Sequence, residues 1–125
     1  MARWFVLIGA LMGGLSVAAG AFGAHALATL LSEKALSSFE TGARYQMYHA
    51  LGLVAVGLTS QTVGGSSLLS AAGILFIGGI IFFSGSLYIL SLSGVKLLGA
   101  VAPIGGLAFM AGWLCLAIAG WSAMS

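Results

Sequence analysis

The densest group of chemically capable side chains lies between residues 39 and 49. Three pairs in this stretch stand four residues apart: Glu40 with Arg44, Arg44 with Tyr48, and Tyr45 with His49. Residues at this spacing share one face of an α-helix, and glutamate one turn before arginine is the favourable order for an ion pair. The spacing predicts a helix with a polar face. That face either anchors the helix end, with interfacial tyrosines, or forms a polar pocket.

A second set of polar residues lies in stretches that are otherwise apolar. These are His25, Ser84, Ser86 and Tyr88. Ionisable groups inside a membrane cost about 2.5–3.5 kcal/mol on insertion scales, so they usually have a partner or a task. Pro103 removes the amide that would bond the Gly99 carbonyl, which predicts a helix kink. We expect Ser84 or Ser86 to satisfy that carbonyl.

His25 and His49 are the only two histidines, and we expect them at similar depth on neighbouring helices. Two facing imidazoles are the ligand set of a bis-histidine haem. The sequence offers no further ligand set, since Cys115 is a lone cysteine inside an apolar run. Nucleophile–base spacings and paired carboxylates are absent as well. We therefore expect no metal, no cofactor and no enzymatic activity, with His25 bonded to a neighbouring helix.

The composition explains where these side chains must be placed. Of 125 residues, 61% are hydrophobic and 5% are charged, whereas soluble domains carry about 25% charged residues. So few charges cannot cover a water-facing surface. The net charge is only +2 and the four basic residues are scattered along the chain. The clustered Lys and Arg of a nucleic-acid interface are therefore excluded. The composition predicts a single integral membrane domain, residues 1–125, in contact with the lipid bilayer.

Four apolar runs are long enough to cross a bilayer core, which takes about 20 helical residues. They predict transmembrane helices at about residues 4–31, 44–62, 68–92 and 97–121. Helices satisfy their own backbone groups, as lipid requires. Ser32 is the expected N-cap of a short helical piece before the second span, and glycines at 64–65 and 94 predict tight turns. The expected fold is an all-α four-helix bundle of two antiparallel hairpins.

The first run has an alternative interpretation. Arg3, an apolar stretch and Ala24-His25-Ala26 resemble a signal peptide with its cleavage site. The apolar stretch is longer than the usual 7–15 residues, so a transmembrane helix is the preferred interpretation.

Four spans place both termini on one side of the membrane. The two hairpin loops then lie on the other side, so the polar residues above, with Pro103, should converge in one leaflet. Lys34, Arg44 and Lys96 stand on the loop side against Arg3 on the terminal side. The positive-inside rule therefore favours external termini. Twenty glycines, most of them within the apolar runs, predict close helix packing.

Four ordered motifs resemble one known family. They are Gly20-Ala21-Phe22-Gly23-Ala24-His25-Ala26-Leu27, Tyr45-Gln46-Met47-Tyr48-His49-Ala50-Leu51, Phe83-Ser84-Gly85-Ser86-Leu87-Tyr88, and the segment from Pro103 to Trp113. Together they resemble the YgdD/YwdK-like family of small bacterial membrane proteins, called domain of unknown function 423, with eukaryotic relatives called transmembrane protein 256. The resemblance covers nearly the whole chain. It implies a multi-pass protein of the bacterial inner or plasma membrane and leaves its activity open.

Two classes of function fit these observations. The first is a structural, interaction or assembly subunit in the membrane, with a homo-oligomer or other membrane proteins as partners. The alternative is a transport or small-ligand binding protein that uses the polar cluster in one leaflet. Proton-coupled transport normally needs a carboxylate at membrane depth, and Glu33 and Glu40 lie at the predicted boundary. We therefore favour the first class.

Overall fold

The structure, a computed structural model, describes residues 1–124 as a bundle of four helices. These are α1 (Ala2–Leu27), α2 (Glu33–Val63), α3 (Ser67–Ser93) and α4 (Leu98–Ala123). Helix α1 packs along α2, and α3 packs along α4. No strand occurs within the described part of the chain. The predicted all-α bundle of two antiparallel hairpins is confirmed.

Three of the helices, α1, α3 and α4, are long and apolar enough to cross a membrane. Helix α2 is less apolar but has 31 residues, which is about 46 Å of helix against a bilayer core of about 30 Å. It packs against each of the other three helices. A helix in that central position can carry polar groups, because other helices supply their hydrogen-bond partners.

Helix α2 begins eleven residues before the predicted start at residue 44. The expected N-cap is confirmed, since the Ser32 hydroxyl accepts from the Ala35 amide at 3.1 Å. The helix then continues without interruption, because Phe39, Ala43 and Gln46 recur at helical spacing and are all buried. A short turn beyond Leu27 is therefore the whole connection between α1 and α2, and the register of the first hairpin differs from the prediction.

Glycines make the other two connections. Gly64 ends α2 with φ of 91°, and Gly94 ends α3 with φ of 74°. Both angles lie in a region that is strained for side chains with a Cβ. Ser66 then caps α3, its hydroxyl accepting from the Leu69 amide at 3.2 Å. Turns at both predicted positions are present.

The core lies where the four helices meet. Its fully buried centre is formed by Leu53 and Val56 of α2 with Leu69 and Phe76 of α3. Phe5 and Phe109 complete it from α1 and α4. Trp4 and Trp121 are exposed at the end of the bundle that carries both termini. The predicted external orientation of that end stays a prediction.

Candidate functional site

The predicted polar residues divide into three groups in the structure. Ser84, Ser86 and Tyr88 lie inside the bundle or at its edge, on α3. Tyr45, Tyr48 and His49 line a lateral groove beside α4. Glu40, Arg44 and His25 are exposed. The single polar cluster expected from the sequence is therefore not formed, and each group has a different environment.

The first group holds the helices together through Gln46 of α2. The Gln46 side-chain amide donates to the Met12 carbonyl of α1 at 2.8 Å. Its oxygen accepts from the Tyr88 hydroxyl of α3 at 2.7 Å. Gln46 is 5% exposed. One buried amide therefore joins three helices, and both of its polar atoms are satisfied.

Ser84 makes a second interhelical hydrogen bond. Its side chain is fully buried, and its hydroxyl donates to the Gly42 carbonyl at 2.7 Å. Ser84 lies in a π-helical turn, Ile80–Ser84, within α3. The expectation that Ser84 satisfies the Gly99 carbonyl is wrong, because α2 is the helix it faces. Pro103 is exposed and lies within a continuous α4, so the predicted kink stays a prediction.

His49 lies in the middle of α2 among aromatic rings. Its Nδ1 is 2.6 Å from the carbonyl oxygen of Tyr45. Its ring stacks on Phe109 with the centroids 3.4 Å apart and the planes inclined by 8°. The ring centroids of Phe76 and Trp113 lie 5.6 and 5.8 Å from that of His49. His49 is 4% exposed, so its ring orientation is fixed by these contacts.

The hydrogen bond at Nδ1 decides which ring nitrogen of the neutral imidazole carries the proton. A carbonyl oxygen only accepts, so the Nδ1–H donates to Tyr45, and Nε2 of the neutral ring carries a lone pair. Nε2 has no hydrogen-bond partner among the described residues. Every fully buried side-chain nitrogen and oxygen in that part of the chain does have one. Nε2 is therefore accessible from outside, as an acceptor.

The space that Nε2 reaches is a groove of about 540 Å³ between α2 and α4. Tyr45 and Tyr48 form one wall, and neither hydroxyl has a hydrogen-bond partner within residues 1–124. The groove is lined by Tyr45, Tyr48, His49, Phe83, Gly106, Phe109, Met110 and Trp113. Because α2 starts early, both tyrosines lie near its middle and not at its first turn. Their place at the membrane interface stays a prediction.

His25 does not lie at the depth of His49. Gly23 faces the ring of Phe39, and Phe39 precedes His49 by ten residues, or about 15 Å of helix. His25 is exposed in the π-helical turn Gly23–Leu27 and has no hydrogen-bond partner among the described residues. The two imidazoles are therefore too far apart to ligate one haem iron within this chain, and the expected bond from His25 to a neighbouring helix is not formed.

Glu40 and Arg44 lie on the outward face of α2. Both are exposed, and both line a groove of about 270 Å³ between α1 and α2. Within the described chain neither has a hydrogen bond or a salt bridge. The ion pair expected from their spacing is thus not formed inside one chain.

Sequence reasoning missed three residues of these sites. Gln46 stood among polar neighbours in an apparent helix entry, so its burial was not apparent. Phe109 and Trp113 looked like ordinary apolar residues. The available signal was the helical spacing of Phe39, Ala43, Gln46 and His49, which places Gln46 and His49 on the buried face of one long helix.

The chain is similar to a family of unknown function and to relatives described as membrane proteins. The family model "Protein of unknown function (DUF423)" matches residues 19–106. The UPF0382 membrane protein YwdK of Bacillus subtilis is 44% identical over 115 residues, 92% of this chain and 94% of that protein. A UPF0382 membrane protein of Staphylococcus haemolyticus is 51% identical over 116 residues, 93% of each. No solved structure matches the chain.

Proposed function

The chain belongs to the DUF423 family of bacterial multi-pass membrane proteins, and from that premise we propose that it is a structural or assembly subunit that associates with a second copy of itself. The surface of association is the outward face of α2. The observation that carries the proposal is that Glu40 and Arg44 are both exposed there and both lack a partner in the described chain.

The depth of Arg44 makes an unpaired state costly. Arg44 follows the first residue of α2 by eleven positions, which is about 17 Å along the axis. If α2 is centred in a core of about 30 Å, Arg44 lies roughly 9 Å inside the hydrocarbon and Glu40 lies near its boundary. A charged side chain exposed to lipid at such a depth costs up to about 2.5–3.5 kcal/mol. A partner that neutralises it removes part of this cost.

A second copy of the chain supplies the complementary charge. Two parallel copies related by a two-fold axis present the same face to each other, so each residue of the pair meets its complement. Helical side chains lean toward the helix N-terminus, and because the arginine side chain is longer than that of glutamate, Arg44 reaches toward the level of Glu40 on the other copy. Two identical Glu40–Arg44 pairs then form across the interface.

Charge exchange tests this pairing. In Glu40→Arg and in Arg44→Glu, each copy would present two like charges, and we expect association to be lost. The double variant Glu40→Arg/Arg44→Glu restores opposite charges, so it should associate like the wild type. Copurification of two differently tagged copies from the same membrane measures the result.

The decisive arm mixes the two single variants in one cell. One carries two positive charges and the other two negative charges, so the mixed pair should copurify although neither variant does so with itself. Arg3→Glu reverses an exposed charge at the terminal end of the bundle, far along α2 from Glu40 and Arg44, and should leave copurification unchanged. Association that is the same in all four combinations would overturn the proposal.

The groove beside His49 favours a second candidate function, the binding of a small lipid-soluble ligand. Its support is the accessible lone pair of His49 Nε2 between two tyrosine hydroxyls without partners in the described chain. Transport has less support. The buried polar residues among those described are Gln46, His49 and serines, without a carboxylate.

A further inference from the structure

We propose that the groove between α2 and α4 binds a lipid-soluble phenol or hydroquinone, whose hydroxyl donates a hydrogen bond to Nε2 of His49. This inference rests on the second candidate function and names the class of its ligand. It is independent of the association of copies through Glu40 and Arg44.

The hydrogen-bonding groups of the groove call for a donor. Nδ1 of His49 is committed to the Tyr45 carbonyl, so the neutral ring can only accept at Nε2. A ligand that offers a hydroxyl satisfies this lone pair. The hydroxyls of Tyr45 and Tyr48, which lack partners in the described chain, can each donate to the ligand's oxygen.

The position of the groove calls for a lipid-soluble ligand. His49 is sixteen residues from the start of α2 and fourteen from its end, or more than about 20 Å from either. The polar groups of phospholipids lie at the membrane surface, so they do not reach this depth. The ligand must therefore carry its hydroxyl on an apolar body that enters the hydrocarbon.

The lining of the groove calls for a flat aromatic body. Tyr45, Phe83, Phe109 and Trp113 line it, and the ring of Phe83 packs on the rings of Tyr45 and Phe109. Aromatic rings pack on one another in offset or edge-to-face geometry, with more stabilisation than their buried area alone supplies. The volume of about 540 Å³ also falls in the usual range for small-molecule sites, about 300–1,000 Å³.

A phenol and its methyl ether test the donor requirement directly. Heptylphenol and heptylphenol methyl ether share the ring and chain, but only the phenol has a hydroxyl hydrogen. We expect saturable binding of the phenol to purified protein in detergent by isothermal titration calorimetry, with micelle heats subtracted. The ether should bind roughly tenfold more weakly, because the loss of one hydrogen bond usually lowers the affinity by about that factor. Equal affinities, or no saturable binding of the phenol, would overturn the proposal.

Variants locate the binding in the groove. His49→Phe keeps an aromatic ring beside Phe109 and removes the acceptor, so the preference for phenol over ether should disappear. Gly106→Leu fills the groove, since a Cβ at Gly106 would have only the Phe83 ring nearby, at 3.9 Å. It should abolish binding. Gly14→Leu makes the same change on α1, where nothing lies within 4 Å, and should leave binding intact.

Two further outcomes keep the tests separate. If His49→Phe does not fold, phenol binding by Gly106→Leu compared with that by Gly14→Leu shows whether the ligand lies in the groove. Binding that survives in Gly106→Leu would contradict the proposal. Arg44→Glu should bind the phenol with unchanged affinity even where association of copies is lost. A loss of binding in that folded variant would show that the groove does not act as an independent site.

Discussion

Gln46 and His49 lie three residues apart on α2, but their polar atoms differ in their hydrogen-bond partners. Both polar atoms of Gln46 are engaged by other helices. His49 has one nitrogen engaged by its own helix and the other open to the groove. A buried polar group without a partner is costly, so a satisfied amide indicates a role in holding helices together. An open lone pair indicates a place for a ligand.

The role of Gln46 leads to a stability prediction. Gln46→Leu keeps the volume, removes the donor to Met12 and leaves the Tyr88 hydroxyl without its acceptor. We expect a loss of about 1–2 kcal/mol in the free energy of unfolding, since interhelical hydrogen bonds in membranes contribute about 0.6–1.7 kcal/mol each. Unfolding of the purified protein by titration with sodium dodecyl sulfate measures this loss.

Gln61→Leu is the matched control, because it makes the same substitution at an exposed position of the same helix. It should change the unfolding free energy by less than about 0.5 kcal/mol. Tyr88→Phe, alone and with Gln46→Leu, completes a double-mutant cycle. Additive effects in that cycle would mean that the Tyr88–Gln46 hydrogen bond does not contribute to stability.

At the level of the helices, α2 shows where sequence reasoning stops. Hydropathy located α1, α3 and α4 to within four residues at each end, since these spans have a high mean hydropathy. It placed the start of the second span at residue 44, because the residues between 33 and 44 are too polar to be counted in an apolar run and were predicted as a separate short helical piece. In the bundle those residues continue one helix, since its buried face meets α1 and α3. Tertiary packing determined the boundary.

That boundary fixes the register and therefore the sites. A start at residue 44 would place His49 about one turn from the loop, beside His25. The start at Glu33 places His49 near the centre of α2 and leaves His25 at the end of α1. The sequence shows which polar residues each helix carries. Their grouping depended on a register that hydropathy alone does not supply.

Close packing of α1 on α2 leads to a prediction about two glycines. A Cβ at Gly57 would lie 2.7 Å from Val6 Cγ2 and 2.8 Å from the Ala2 carbonyl oxygen. Gly57→Ala should therefore destabilise the protein by about 1–2 kcal/mol, because the backbone of α1 must move. Gly14 has nothing within 4 Å, so Gly14→Ala should stabilise by up to about 1 kcal/mol through helix propensity.

The same detergent unfolding measurement compares these two alanine variants. Opposite signs are the expected result. Stabilisation by both substitutions would show that the glycines act through helix propensity alone, and that α1 and α2 are not in close contact at Gly57.

At the scale of the whole molecule, the fold follows from general constraints and the function from a few exposed groups. Four helices joined by short turns, three of them strongly apolar, have few ways to pack, so the bundle and its membrane location were predictable. The proposed association depends on whether Glu40 and Arg44 meet within one chain or between chains. Their spacing of four residues permits both. Only the three-dimensional arrangement shows them exposed and unpaired in the described chain.

The association of two copies through α2 is most directly tested by an inter-subunit distance. In a Cys115→Ala background, a spin label at Ser37→Cys lies on α2 one turn before Glu40 and Thr41, and a label at Ile81→Cys lies on the exposed side of α3. Pulsed electron spin resonance in lipid nanodiscs should give a dipolar signal between copies, with a shorter distance for position 37 than for position 81. No dipolar signal at position 37, or a longer distance there than at position 81, would contradict the account.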